Sequence, residues 1–193
     1  MKQKDVIPAD TGWTDKKVIE FPGSPFLRIG RDWMLITAAA PAAAAAAVQK
    51  DKNSWNTMTA SWGGLGVLWG KYVAFIFIRP SRHTFEFANK TGLFTLSFFD
   101  ESKKEALNIC GKVSGRDTDK AAAAGLTPIV FSDEPFSGAV SFMEAKEILI
   151  CRKLYQHDID PAKFLDASIE NHYNGKDYHR MFVSEIIGYK TRS

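Results

Sequence analysis

Three stretches of the chain bring together residue types that can bind a ligand or support chemistry. Arg79, Ser81, Arg82 and Thr84 lie within six residues, around Pro80 and directly after a long apolar run. Arginine offers a fork of donors matched to phosphate, and hydroxyls and turn amides complete such a site. The stretch reads as an anion site, although a solvated basic turn has the same composition. The second stretch runs Asn56, Thr57, Met58, Thr59, Ala60, Ser61, Trp62 and ends in Gly63 and Gly64. In a strand, Thr57, Thr59 and Ser61 share one face, and the glycines let main chain come close to a ligand. Taken alone, the plainer reading of that face is hydroxyls in solvent. In the third stretch, Ser114, Gly115 and Arg116 precede Asp117. Asp117 is a helix-start signal, and free amides beside an arginine suit a second anion or polar contact.

Other chemistries find no support. GxxxxGK[ST] is absent and no GxGxxG follows a strand, so nucleotide binding by those routes is not indicated. GxSxG is absent too, which disfavours an elbow-type serine hydrolase. His83, His157, His172 and His179 lack metal-ligand spacing, and no metal site is expected. His179, in DYHRMFVSEI, opens the last strand as a rim histidine. Cys110 and Cys151 form no CxxC and read as small buried hydrophobes.

The elements that must position these groups are mostly strands. Lys17–Phe21, Trp33–Thr37, Asn56–Trp62, Tyr72–Ile78, Phe94–Phe99, Met143–Gln156 and Tyr178–Tyr189 read as extended. Tyr72–Ile78 looks buried on both faces, and 63–71 reads as a glycine-rich turn. Asp100 should cap a helix over ESKKEALNIC, and Asp117 a second over TDKAAAA closed by Gly125. Asp160-Pro161 and Asp166 signal short helices up to His172, and NGKD at 174–177 a turn. The fold expected is mainly β, an antiparallel barrel with short inserted helices. Residues 1–193 are expected to form one domain, with 1–25 an extended arm and 38–52 an alanine-rich loop.

Composition agrees with a globular chain. Of 193 residues, 45% are hydrophobic and 24% charged, and the net charge of +3 is scattered, so no nucleic-acid footprint exists. The N-terminus lacks the apolar core of a signal peptide and no window of about 18 apolar residues occurs. No membrane partner and a cytoplasmic location are expected.

The stretches NTMTASWGGLGVLWGKYVAFIFIRPSRHTFEF, FTLSFF, ALNICGKVSGRDTDK, AGLTP, ICRKLYQHDIDP and DYHRMFVSEI, in this order from about Asp32 to Ile187, resemble the flavoredoxin branch of the flavin reductase family. That resemblance implies a six-stranded Greek-key split barrel, a homodimer, and FMN held non-covalently near the dimer interface. It implies that Asn56–Trp62 runs beside the isoalloxazine ring, with backbone and short hydroxyls on the ring's polar edge. Arg79, Ser81, Arg82 and Thr84 would serve the ribityl phosphate. Ser114, Gly115 and Arg116 would lie near the cofactor, and His179 near the flavin and nicotinamide side. Two functions follow: an FMN-dependent oxidoreductase passing electrons from NAD(P)H to free flavin or another acceptor, or a flavoredoxin-type carrier serving protein redox partners. A third reading is a split barrel that binds another ligand, such as haem or pyridoxal phosphate, or none; the arginine–hydroxyl stretch fits any phosphate, pyridoxal phosphate included.

Overall fold

A computed structural model describes residues 6–9, 12–40, 48 and 52–192. Eleven strands occur among them: β1 Ile7–Pro8, β2 Thr14–Lys16, β3 Met34–Ala39, β4 Trp55–Ala60, β5 Gly63–Leu68, β6 Lys71–Ile78, β7 Leu93–Phe98, β8 Pro128–Val130, β9 Val140–Phe142, β10 Glu147–Asp158 and β11 Arg180–Thr191. Four helices accompany them: α1 Pro25–Gly30, α2 His83–Lys90, α3 Lys104–Lys112 and α4 Lys120–Ala124.

The large sheet runs β4-β3-β7-β10-β11-β6-β5, with β2 joined to the far end of β11. Its pairings are all antiparallel. A small sheet, β1-β8-β9, lies apart. The class is the mainly-β one expected, but the large sheet has eight strands rather than six. The extra edge is β5. Its glycines make a strand instead of a turn, because a Cβ on Gly63 would meet the Phe75 carbonyl oxygen at 2.7 Å. Glycine there lets β5 lie close against β6.

Alternation along β3 explains why the sheet has two apolar faces. Ile36 and Ala38 enter a cluster with Met58, Ile76, Phe94 and Phe182, while Leu35 enters another with Leu107, Cys110 and Phe142. Helix α2 lies over the first face through Ala88, and α3 over the second through Ala106, Leu107 and Cys110. Both cysteines are free and buried, as their apolar neighbours suggested.

Other sequence expectations need correction. Lys17–Phe21 contributes a 3-10 turn, Val18–Glu20, and the extended lead-in is β2 just before it. Within the expected extended arm 1–25, β1 pairs with β8 and β2 with β11, which tie it to the body. Of the expected 38–52 loop, Ala38 and Ala39 belong to β3 and 52–54 form a 3-10 turn, while 41–47 and 49–51 lie outside the described residues. Tyr72–Ile78 is not buried throughout, since Tyr72 is exposed and Phe75 and Phe77 are half-buried. Asp100 caps nothing with its side chain, which instead meets Lys146 Nζ at 3.2 Å. The cap of α4 is Asp119, whose carboxylate accepts from Ala122 N at 3.0 Å; Asp117 lies two residues too early. Gly125 closes that helix in the left-handed conformation, as expected.

Candidate functional site

Strand β4 is the outer strand on its side of the large sheet. Lys120 Nζ donates to the Thr57 carbonyl at 2.9 Å, so Thr57 directs its main-chain groups away from β3. Residues two apart along a strand point theirs the same way. Thr59 therefore directs its backbone N–H and C=O outward from the same edge on which the Thr57 carbonyl already holds Lys120. What lies there is a groove of two cavities that share Met58 and Arg82.

The larger cavity, about 170 Å³, is lined by Met58–Trp62, Phe77, Arg79, Arg82 and His179. The smaller, about 100 Å³, is lined by Met58, the turn Ser81–Thr84, the loop Lys112–Gly115, and Lys120. The structure thus gathers Met58–Trp62 with Arg79 and His179 at one end, and Arg82, Thr84, Ser114 and Gly115 at the other, while Asn56 and Thr57 line a neighbouring cavity.

The hydroxyl row does not act as a row. Thr57 Oγ1 lies 2.9 Å from Thr37 Oγ1 and donates to the Ile36 carbonyl at 3.2 Å, inside the sheet. Thr59 Oγ1 donates to the Leu107 carbonyl and so fastens β4 to α3. Only the Ser61 hydroxyl has no protein hydrogen bond among the described residues. The donors and acceptors facing the groove are thus the backbone edge and Ser61. Asn56 lies buried beneath, giving Nδ2–H to Thr84 Oγ1 at 2.7 Å. The loop above rests directly on it, and a Cβ at Gly115 would run into Asn56 Oδ1. Glycine is required there for close approach.

The basic turn is partly spoken for. Arg79 donates from Nη2 to the His172 carbonyl at 2.6 Å and lies over the Tyr173 ring at 5.2 Å. Ser81 gives both its N–H and its hydroxyl to the Asp177 carboxylate, at 2.9 and 2.6 Å. Both residues therefore fasten the 159–178 segment rather than stand free for an anion. Arg82 is exposed and reaches the Gly111 carbonyl only at 3.4 Å, which leaves most of its donors available. Arg116 pairs with Glu86 and lines a third cavity with Trp55, Asn56 and Thr57, which meets the small one at Gly115 and Lys120. Ser114 Oγ accepts from Arg116 N at 3.2 Å and shapes the loop.

Sequence reasoning missed the most informative side chain. Lys120 is buried, and its ammonium donates to the carbonyls of Thr57 and Cys110, each at 2.9 Å. An ammonium has three hydrogens, and no carboxylate pairs with this one among the described residues. Burial lowers its pKa to about 8, with Arg82 adding to the same direction and Cys110 opposing it. A buried cation without a counter-ion is costly, and this one borders the small cavity. Also missed was His83, the first residue of α2, whose Nδ1 is buried without a partner and whose pKa burial lowers. The amides of His83 and Thr84 start that helix and have no intrahelical acceptor. A lysine opening a short helix and a histidine after an arginine both look like surface residues in sequence, so no signal pointed to them.

At the other end the wall is aromatic. Trp62 is 44% exposed, with its ring 5.0 Å from that of His179 and 5.4 Å from that of His172. His179 is buried against Tyr173, and burial, then Arg79, pushes its pKa down to about 4. It is neutral at pH 7.

The family model for the flavin reductase like domain matches residues 27–193. No curated protein sequence matches the chain. Among solved structures, the FMN-binding domain of a flavin reductases-like enzyme from Shewanella baltica superposes with a TM-score of 0.61 at 12% identity, over 95% of this chain and 79% of that one. Flavoredoxin of Desulfovibrio vulgaris gives 0.59 at 20% identity, over 84% and 70%. The NADH:FAD oxidoreductase SgcE6 of Streptomyces globisporus gives 0.56 at 15% identity, over 84% and 76%.

Proposed function

Since the chain belongs to the flavin reductase-like family, we propose that its groove binds FMN and that the protein is an oxidoreductase taking electrons from NAD(P)H and passing them to free flavin or another acceptor. The observation that carries this reading is the match between the groove's two ends and the two ends of that ligand. The small cavity gathers donors: Lys120 Nζ, the unpartnered His83 Nδ1 in its Nδ1–H tautomer, the first amides of α2, and Arg82. Such a set suits a phosphate. The large cavity offers a strand edge and ring-sized apolar walls, which suit a planar heterocycle with a polar rim. Gly115, which lines the small cavity, rests directly on Asn56.

In this reading Lys120, Arg82 and His83 hold the phosphate. The backbone of Thr59, with Ser61, orients the ring edge. Trp62, His179 and Phe77 exclude water from one side. Bound flavin supplies the hydride chemistry at its own ring. No side chain is assigned as an acid or base for that transfer, and His179 holds its role by contact rather than by titration, since it is already neutral. We further propose a cytoplasmic homodimer, with NAD(P)H approaching the open side past Trp62.

A flavoredoxin-type electron carrier is the second reading. It is favoured by the exposed Trp62, with Trp69 and Tyr155 also exposed, which suits contact with a protein partner. The visible spectrum before and after anaerobic NADH or NADPH tests both. Flavin bands that bleach within the mixing time are the expected result. Bands that resist pyridine nucleotide but bleach with dithionite would transfer the assignment to the carrier. No flavin uptake from added FMN would overturn both.

A further inference from the structure

The chemistry of His179 depends on which ring nitrogen carries the hydrogen. Nδ1 lies 3.0 Å from the Tyr173 hydroxyl, and both residues are buried. If Tyr173 donates to Nδ1, one bond satisfies both groups and the imidazole hydrogen sits on Nε2. If Nδ1–H donated instead, the phenol hydrogen would need another acceptor, and no other bond to that hydroxyl occurs among the described residues. Acid–base matching points the same way. A phenol is a stronger acid than an imidazole N–H, and an imidazole nitrogen a stronger base than a phenol oxygen.

Tyr173 is held firmly enough to impose this choice. Its ring stacks on Phe164 at 6.0 Å and meets Tyr178 at 4.9 Å, with the Arg79 guanidinium on it at 5.2 Å. Tyr178 is anchored in turn by its hydroxyl to Glu170 at 2.8 Å. His179 Nε2 has no protein partner among the described residues, and the residue lines the larger cavity.

We propose that Tyr173 is a positioning residue that fixes His179 as the Nε2–H tautomer, so that His179 presents a neutral hydrogen-bond donor to a carbonyl oxygen of a planar ligand in the larger cavity. The identity of that ligand rests on the reading above; the tautomer does not. The charged groups acting on the imidazole are Arg79 and Arg82, which disfavour its cation, and Asp177, which favours it. With burial the largest influence, the ring stays neutral over the working range. A fixed neutral donor favours an oxygen that gains negative charge on reduction without handing over a proton. Such an oxygen belongs either to the flavin's own carbonyl edge or to a carbonyl acceptor stacked before it.

The test is long-range ¹H–¹⁵N correlation of histidine-labelled protein as isolated, at pH 7. The expected result is one His179 tautomer with hydrogen on Nε2, replaced in Tyr173→Phe by a mixture and a raised titration midpoint. A wild-type Nδ1–H tautomer, or a Tyr173→Phe spectrum identical to wild type, overturns the proposal. This readout needs no bound flavin, so a protein that never takes up FMN fails the functional reading and leaves the tautomer decided on its own. In flavin-loaded protein, His179→Phe separates the carbonyls. A more negative flavin potential identifies the flavin carbonyl as the acceptor. An unchanged potential with a several-fold higher KM for menadione identifies the acceptor carbonyl. No change in either defeats the donor role.

Discussion

The two ends of the groove differ in how they treat their polar groups. At the ring end nearly every side chain is already paired within the protein: Thr57 to Thr37, Thr59 to Leu107, Arg79 to His172, His179 to Tyr173. At the other end Lys120 and the Nδ1 of His83 are buried with unused bonding capacity. A ligand would complete buried donors at the second end, whereas at the first it would meet the strand edge, Ser61 and the free nitrogen of His179. The difference separates shape from charge: one end selects by fit along a strand edge, the other by supplying what a dianion needs.

The largest expected effect comes from removing the charge. Lys120→Met should weaken FMN roughly 10- to 150-fold, the range of a charge-assisted hydrogen bond, and leave riboflavin, which lacks phosphate, unaffected. Calorimetric titration with both ligands checks this; equal losses for the two would erase the distinction between the ends. The same lysine gives a pH signature. Its pKa of about 8 in the free protein means that the cation is present below that pH and lost above it. FMN affinity should hold from pH 6 to 7.5 and decline by about tenfold per unit once well above 8, with riboflavin flat. Next comes Gly115→Ala, where the new methyl meets Asn56 Oδ1. Overpacking of about 1–3 kcal/mol should lower the melting temperature and weaken both ligands together. Arg79→Ala should weaken FMN by about threefold, the value of an exposed ion pair, because its bonds go to the 159–178 segment. Limited proteolysis of that segment should rise in parallel, and a loss matching that of Lys120→Met would move the phosphate site back to Arg79. Smallest is Ser184→Ala. Ser184 Oγ is buried without a partner inside the sheet, so its removal should stabilise by about 1 kcal/mol in chemical denaturation, with FMN affinity unchanged. His83→Phe removes a comparable orphan from the groove and should cost FMN affinity instead.

Much of the sheet was legible because its strands are long and apolar, as in β6 and β7. Their boundaries fall within a residue or two of those expected from sequence. Strand β5 was not, since three glycines in Gly63–Leu68 carry no side-chain periodicity and their role is a close approach that only the partner strand reveals. Helix α2 was also invisible: HTFEFANK mixes aromatic and polar residues at spacings that fit strand as well as helix. The three stretches that suggested a ligand do border one groove, apart from Asn56, Thr57 and Arg116, which line the cavity beside it, but their side chains do not play the parts that composition suggested. Residue type marks Arg79 and Ser81 as anion binders, whereas Asp177, nearly a hundred residues away, claims Ser81. Burial, not sequence, distinguishes Lys120 from the other lysines.

The bare edge of β4 has a consequence beyond recognition. An outer strand whose amides and carbonyls face outward is a template for any other strand, including the same one on another molecule. Flavin seated along that edge would cap it as a neighbouring strand would. Protein stripped of flavin should then clump on storage through strand-to-strand pairing, and adding flavin back before concentration should keep it dispersed.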